Sequence, residues 1–173
     1  MPSGTVIQRM PQPSSAVFEL LHNYPRRLEW DTLLREARLT GGYDRAGKGA
    51  TSLCVGKQFG GLIGIETRYL TFTPGSIAAV EMINRPPFFE QFAASIRHVD
   101  VAGGSDLIYK FRFVARPRWL RWLLEPIMRV ALRHETHKRL GALSAFLRTD
   151  ESSPGRRGGG GESLPSDSPD LSP

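Results

Sequence analysis

Residues 91–115, QFAASIRHVDVAGGSDLIYKFRFVA, decide the fold. Gly103-Gly104 interrupts the run, and on each side of it the side chains alternate. Before the glycines, Phe92, Ala94, Ile96, His98 and Asp100 share one face, and Ala93, Ser95, Arg97, Val99 and Val101 share the other. After them, Leu107, Tyr109, Phe111 and Phe113 oppose Ile108, Lys110, Arg112 and Val114. Successive strand side chains point to opposite faces, so a period of two predicts two extended strands, and the diglycine predicts the turn between them. One face of this hairpin is apolar and aromatic, and an antiparallel sheet with such a face needs a cover.

The cover lies immediately downstream. Leu124, Met128, Leu132, Leu140, Leu143 and Leu147 recur at three- and four-residue steps, with Thr136 the one polar member of the stripe. That spacing predicts an amphipathic helix. Pro126 falls inside it, and a ring without an N–H breaks a helix interior. The expectation is therefore a short helix over residues 118–124 and a long one from about Pro126.

Upstream, residues 38–115 read as six strands in a meander. Their punctuation is Gly41-Gly42, Gly47 with Gly49, Gly60-Gly61, Pro74-Gly75, Pro86-Pro87 and Gly103-Gly104. Residues 5–10 form a further β-like run. Ser14 or Ser15 then serves as N-cap for a short helix over residues 16–21, which Pro25 ends. Residues 26–34, RRLEWDTLL, read as a second short helix with Leu28, Leu33 and Leu34 inward.

The chain has 173 residues, one domain's worth, and 40% hydrophobic residues, enough to exclude wholesale disorder. Its end changes character: residues 151–173 hold five Gly, six Ser and four Pro, with Leu164 and Leu171 as the apolar side chains. Such a stretch buries too little surface to offset its ordering entropy. The reading is a domain over residues 1–150 and a disordered Gly/Ser/Pro-rich tail over residues 151–173. Of the formal charge of +6, the tail contributes −2, so the domain stands at +8. Most of that excess lies in residues 116–148, with eight basic and two acidic residues.

Several chemistries are excluded by absence of their motifs. There is no GxxxxGK[ST], no GxGxxG after a strand, no HExxH and no CxxC, and the single Cys54 builds neither a disulfide nor a cysteine metal centre. His134 and His137 share one side of a helix but read as solvated or helix-end residues, since no carboxylate other than Glu135 between them accompanies them. No metal or cofactor is expected. The N-terminus lacks an uninterrupted apolar segment, and no window reaches the ~18 apolar residues of a membrane span, so a cytoplasmic protein is expected, at most peripheral to the membrane.

Two titratable groups stand out. His98 shares a face with Phe92 and Ile96, which makes it a candidate general acid or base; the alternative is a rim position after a slip of register. Tyr109 points with Phe111 and Phe113, and a buried phenol needs a partner, either in the core or on a ligand. Further on, Arg118, Trp119, Arg121 and Trp122 have the composition of a helix that lies on an anionic membrane; the alternative packs both indoles into the sheet edge. Nucleic acid is not expected as a partner, because no recognition motif appears and the aromatics sit in apolar runs.

The order of elements, together with scattered residues, resembles the START-like (helix-grip, SRPBCC) superfamily, and within it the polyketide cyclase/dehydrase and lipid-transport branch. The residues that carry this are Val6-Ile7, Pro13 to Phe18, Leu28-Glu29-Trp30-Asp31, Ala37-Arg38-Leu39, Gly47-Lys48-Gly49-Ala50, Phe88-Phe89, Ser95-Ile96, the Tyr109 to Phe113 strand and Arg116-Pro117. The resemblance spans residues 3–148. It implies an α+β fold: a curved seven-stranded antiparallel sheet wrapped around a long C-terminal helix, with two short helices between strands 1 and 2. It also implies a cavity between sheet and helix for a lipid-, polyketide- or quinone-like molecule. On this reading the ligand lies between Phe92, Ile96, His98, Tyr109, Phe111 and Phe113 on the sheet and Met128, Leu132 and Thr136 on the helix. The expected function is a carrier or chaperone for a hydrophobic or amphipathic small molecule. The alternatives are an aromatase/cyclase-type enzyme with His98 or Tyr109 in proton transfer, and a membrane-docking protein using Arg118, Trp119, Arg121 and Trp122.

Overall fold

The computed structural model describes residues 1–57 and 63–151. The Gly60-Gly61 turn and the expected tail beyond Glu151 lie outside the described residues. The chain opens with β1 (Ser3–Met10), α1 (Ser14–His22), a 3₁₀ turn (Tyr24–Arg26) and α2 (Arg27–Trp30). It continues through β2 (Leu34–Thr40), β3 (Thr51–Gly56), β4 (Gly64–Thr73), β5 (Ile77–Met82), β6 (Phe89–Val101) and β7 (Gly104–Ala115). A second 3₁₀ turn (Arg118–Leu120) leads into α3 (Arg121–Glu151).

Among the described residues the seven strands form one antiparallel sheet in the order β1-β7-β6-β5-β4-β3-β2. The meander runs from β2 to β7, and β1 closes the far edge beside β7. Register shifts interrupt the ladders between Leu34 and Glu36, Tyr69 and Thr71, and Phe89 and Gln91. Bulges of this kind raise local twist and bend the strand, so the sheet curves instead of lying flat. Two glycines allow close approaches at the β1–β7 seam. Gly4 leaves the space that the Phe111 ring fills, and Gly104, at φ +149°, lets β7 start directly against the Met10 carbonyl.

The alternation of β6 and β7 holds along both strands. Ala94, Ile96, His98, Leu107, Phe111 and Phe113 are buried, whereas Arg97, Lys110 and Arg112 are exposed. His98 pairs with Leu107 in an unbroken stretch of register, so the rim alternative is wrong: its ring is inside.

The helices differ from expectation in three places. Ser14 is the first residue of α1 and Pro13 its N-cap, with no side-chain cap of its own. The cap comes from across the fold, where Asp100 of β6 accepts the Ser14 N–H at 2.7 Å and the Ser14 hydroxyl at 3.0 Å. A carboxylate is a stronger acceptor than a serine hydroxyl and complements the positive end of the helix dipole. The expected second helix is a single turn. Leu28 is 47% exposed, Trp30 takes the inward place, and Leu34 is inward as the first residue of β2. Finally, α3 runs unbroken through Pro126. Pro126 is only its sixth residue and is exposed, so its one lost hydrogen bond falls near the N-terminal end, on the solvent-facing side of the helix.

The two halves of α3 pack differently. Leu140, Leu143 and Leu147 are at most 2% exposed and join Val6, Met10, Val17, Leu21, Trp30 and Leu107 in the main core. No residue of α3 before Leu140 is buried. There Leu124, Met128 and Leu132 are half-buried over Phe89, Phe111 and Phe113. The N-terminal end is tied by polar contacts: Arg121 donates to the Ala115 carbonyl at 2.7 Å and to Glu90 at 3.1 Å, and Glu125 accepts the Ala115 N–H at 3.4 Å.

Candidate functional site

Where α3 stands off the curved sheet, a partly open cavity of about 470 Å³ remains. This lies in the ~300–1,000 Å³ range of small-molecule sites. Phe89, Phe92, Ile96 and Phe111 form the sheet wall, and Leu124, Met128 and Leu132 form the helix wall. Exposed Phe88, Ile127 and Ala131 also line it and mark its mouth, while buried Leu21, His22, Tyr24 and Leu140 mark its inner end. Phe88 is held at φ +69°, a region unfavourable for a side chain, with its carbonyl accepting the Arg116 N–H at 3.0 Å. Backbone strain of this kind stands at ~1–3 kcal/mol and survives only where the surroundings enforce it.

Of the ligand-lining residues expected from sequence, Phe92, Ile96, Tyr109, Phe111, Met128, Leu132 and Thr136 border this cavity. His98 and Phe113 do not. Phe113 is fully buried behind the wall, and His98 packs edge-on against Phe18 with ring centroids 5.3 Å apart. Both His98 ring nitrogens lack a hydrogen-bond partner among the described residues. Burial pulls its pKa down to about 4, with the Asp100 carboxylate opposing the shift. At neutral pH it is an uncharged ring in an aromatic cluster and does not line the cavity.

The inner end is more polar than the sequence suggested. Tyr24 donates to the Ser52 hydroxyl at 2.7 Å and lies 3.0 Å from the Tyr69 hydroxyl, which lies 2.9 Å from His22 Nδ1. Ser52 in turn lies 3.0 Å from the Thr67 hydroxyl. All five side chains border the cavity. Burial pushes the Tyr69 phenol well up and the Tyr24 and Tyr109 phenols up, and it raises the Cys54 thiol. Burial, with the positive Arg27 nearby, drops His22 to about 3. These groups are therefore neutral at physiological pH, and none of them titrates where a general acid or base works best.

Charge enters through two arginines. Arg27 and Arg139 both border the cavity, and both approach one oxygen of the fully buried Asp31, at 3.2 Å and 2.9 Å. Arg27 is further spent on the Leu21 carbonyl and lies over the Trp30 ring. Sequence reading missed this cluster because it joins one turn of helix to a residue more than a hundred positions away. Tyr69 was findable in part, since Ile65, Thr67 and Tyr69 alternate along β4.

The membrane-docking candidates are placed more openly. Trp119 and Trp122 are each 76% exposed, which rules out their packing into the sheet edge. Leu123, Ile127 and Val130 are exposed beside them, and Ile127 also lines the cavity mouth. Arg118 is exposed, whereas Arg121 is half-buried and spent on Ala115 and Glu90. Among the described residues no helix is long and apolar enough to cross a membrane, and no three His, Cys, Asp or Glu cluster as a metal site requires.

Residues 3–147 match the family model described as polyketide cyclase/dehydrase and lipid transport. No curated protein matches the sequence. Among solved structures, the Zhui aromatase/cyclase from Streptomyces sp. R1128 is similar with a TM-score of 0.72 at 13% identity, over 91% of this chain and 98% of that one. The protein TTHA0849 from Thermus thermophilus gives 0.73 at 11% identity, over 86% and 99%. A START superfamily protein from Mycobacterium smegmatis gives 0.71 at 7% identity, over 85% and 97%. At such identities the likeness is one of fold.

Proposed function

We propose that this chain, which belongs to the polyketide cyclase/dehydrase and lipid-transport family of the START-like superfamily, binds a hydrophobic or amphipathic small molecule as a carrier or chaperone. The observation that carries the reading is the apolar cavity between β-sheet and α3, with neutral hydroxyls at its inner end. Burying apolar surface yields ~25 cal/mol per Å², so a ligand that buries ~300 Å² gains roughly 7 kcal/mol before entropic costs. Affinity therefore needs no catalytic group. The aromatase/cyclase reading draws support from the relative of that activity, but of its two proton-transfer candidates only Tyr109 faces the cavity.

The test is a titration with an uncharged lipophilic dye such as Nile red. Wild-type protein should bind it saturably, and Ile96→Trp, which fills the cavity, should weaken binding ~10-fold or more with an unchanged circular dichroism spectrum. Absence of saturable binding, or an unaffected variant, sinks the carrier reading.

Exposure of Trp119 and Trp122 supports a second, compatible reading, in which the mouth docks on an anionic membrane. Indoles seat at the lipid headgroup level, while the exposed Arg118 and Arg129 meet the negative surface. Vesicle co-sedimentation should then require anionic lipid, fall with salt and disappear in a Trp119→Ala, Trp122→Ala double variant. Binding that ignores lipid charge contradicts it.

A further inference from the structure

The cavity's inner end holds hydrogen-bonding groups that the protein itself leaves unused. Arg139 Nε lies 2.9 Å from Asp31 Oδ2, but off-line, so no hydrogen bond closes there. The rest of the Arg139 guanidinium has no hydrogen-bond partner among the described residues, and its side chain is 26% exposed against the cavity. The Tyr109 and Thr136 hydroxyls border the same space and are likewise without partners among the described residues. Thr136 and Arg139 are three residues apart on one side of α3, and Tyr109 packs on the core cluster that holds the adjacent Leu140, so the three groups gather at one end of the cavity. Asp31 is shared: its Oδ2 serves both Arg27 and Arg139, so one carboxylate faces two guanidinium groups. Glu135 also borders the cavity and is half-buried, but it pairs with neither arginine.

A buried donor without an acceptor is costly, and a planar guanidinium matches a carboxylate with two parallel hydrogen bonds. We propose that Arg139, with Tyr109 and Thr136, is a head-group site for a carboxylate, and that the carried molecule is an amphipathic monoanion whose apolar tail lies between Phe92, Phe111 and Met128. The carboxylate takes the Arg139 donors that Asp31 leaves unused, and the tail points toward the mouth. Glu135 opposes the anion and limits its affinity.

This inference rests on the carrier reading, and the experiment separates the two. cis-Parinaric acid and its methyl ester are titrated by fluorescence, below their aggregation concentrations and at neutral pH. Wild-type protein should prefer the acid by ~10-fold or more, the worth of one charge-assisted contact. Arg139→Gln should abolish that preference while ester affinity stays within about twofold, and Glu135→Gln should strengthen acid binding alone. Tyr109→Phe leaves the Asp31 pairing intact and should weaken the acid about threefold and the ester by less, which provides the test should Arg139→Gln fail to fold. Equal affinity of wild-type protein for acid and ester overturns the head-group site and leaves the carrier reading standing. A preference that survives Arg139→Gln, or one that Tyr109→Phe leaves undiminished when only that variant folds, overturns it as well. Binding of neither probe overturns both.

Discussion

Acid should destabilise this protein through His22 and His98 well above the pH at which carboxylates protonate. In the unfolded chain both imidazoles titrate near 6.5, whereas folding lowers His98 to about 4 and His22 to about 3, in both cases chiefly by burial. Between these limits the unfolded state binds protons that the folded state refuses, so stability rises with pH and is complete only above ~6.5. Each histidine contributes a slope of ~1.4 kcal/mol per pH unit, so at pH 5 each has removed about 2 kcal/mol. That is a large share of the ~5–15 kcal/mol by which domains are stable. Replacing His98 by Leu should halve the slope between pH 6.5 and 5. It should leave stability at pH 7.5 unchanged or higher, because the imidazole makes no hydrogen bond to the described residues that could be lost. Urea unfolding followed by fluorescence of buried Trp30 at several pH values measures both quantities. The same variant should bind a lipophilic dye normally, since His98 is off the cavity wall. A slope equal to that of wild type refutes the burial argument, and lost dye affinity restores His98 as a site residue.

Two further outcomes follow from buried contacts. Asp31→Asn leaves Arg27 and Arg139 without their shared charge, and breaking a buried pair in this way should lower stability by ~3–5 kcal/mol, read from urea midpoints; a loss below ~1 kcal/mol contradicts the pairing. At the β6–β7 turn, Gly103→Ala meets nothing within 4 Å and should lose only the ~1 kcal/mol of a left-handed backbone. Gly104→Ala drives its Cβ into the Met10 carbonyl and should lose clearly more, so equal thermal shifts for the two variants contradict the close β1–β7 approach.

The fold was legible where a period persists long enough to be unambiguous. The alternation of residues 91–115 and the leucine stripe of α3 each name a face, and together they demand that one cover the other. What escaped was set by contacts remote in sequence. Asp100 caps α1 across a separation of 86 residues, which no local cap motif signals. Pro126 reads as a breaker because propensity rules assume a helix interior, whereas its position relative to the helix start depends on where the preceding 3₁₀ turn ends. Face assignment alone could not separate His98 from Ile96: both point inward, but His98 packs on Phe18 of α1, whereas Ile96 borders the cavity. The cavity is thus a property of where cover is missing, and a strand's own sequence does not report that.

The same logic explains why one helix can both complete a core and bound a cavity. Burying a large aliphatic side chain is worth ~1.5–3 kcal/mol, and α3 is anchored at one end by three leucines that are at most 2% exposed. Its other end is held by Arg121 with Glu90, a partly solvated pair of the kind worth ~0–1 kcal/mol, and by hydrogen bonds to the end of β7. The span between is therefore fixed firmly at Leu140 and weakly at Arg121, and the cavity lies beneath the weak part. A swing of α3 at its N-terminal end, where Trp119 and Trp122 already stand in solvent, would break those polar contacts and the half-buried packing of Leu124, Met128 and Leu132 but leave the buried leucines in place. Stability and access draw on different residues of one helix, so strengthening the leucine end should leave ligand entry intact, whereas replacing the Arg121 contacts with apolar packing should slow it.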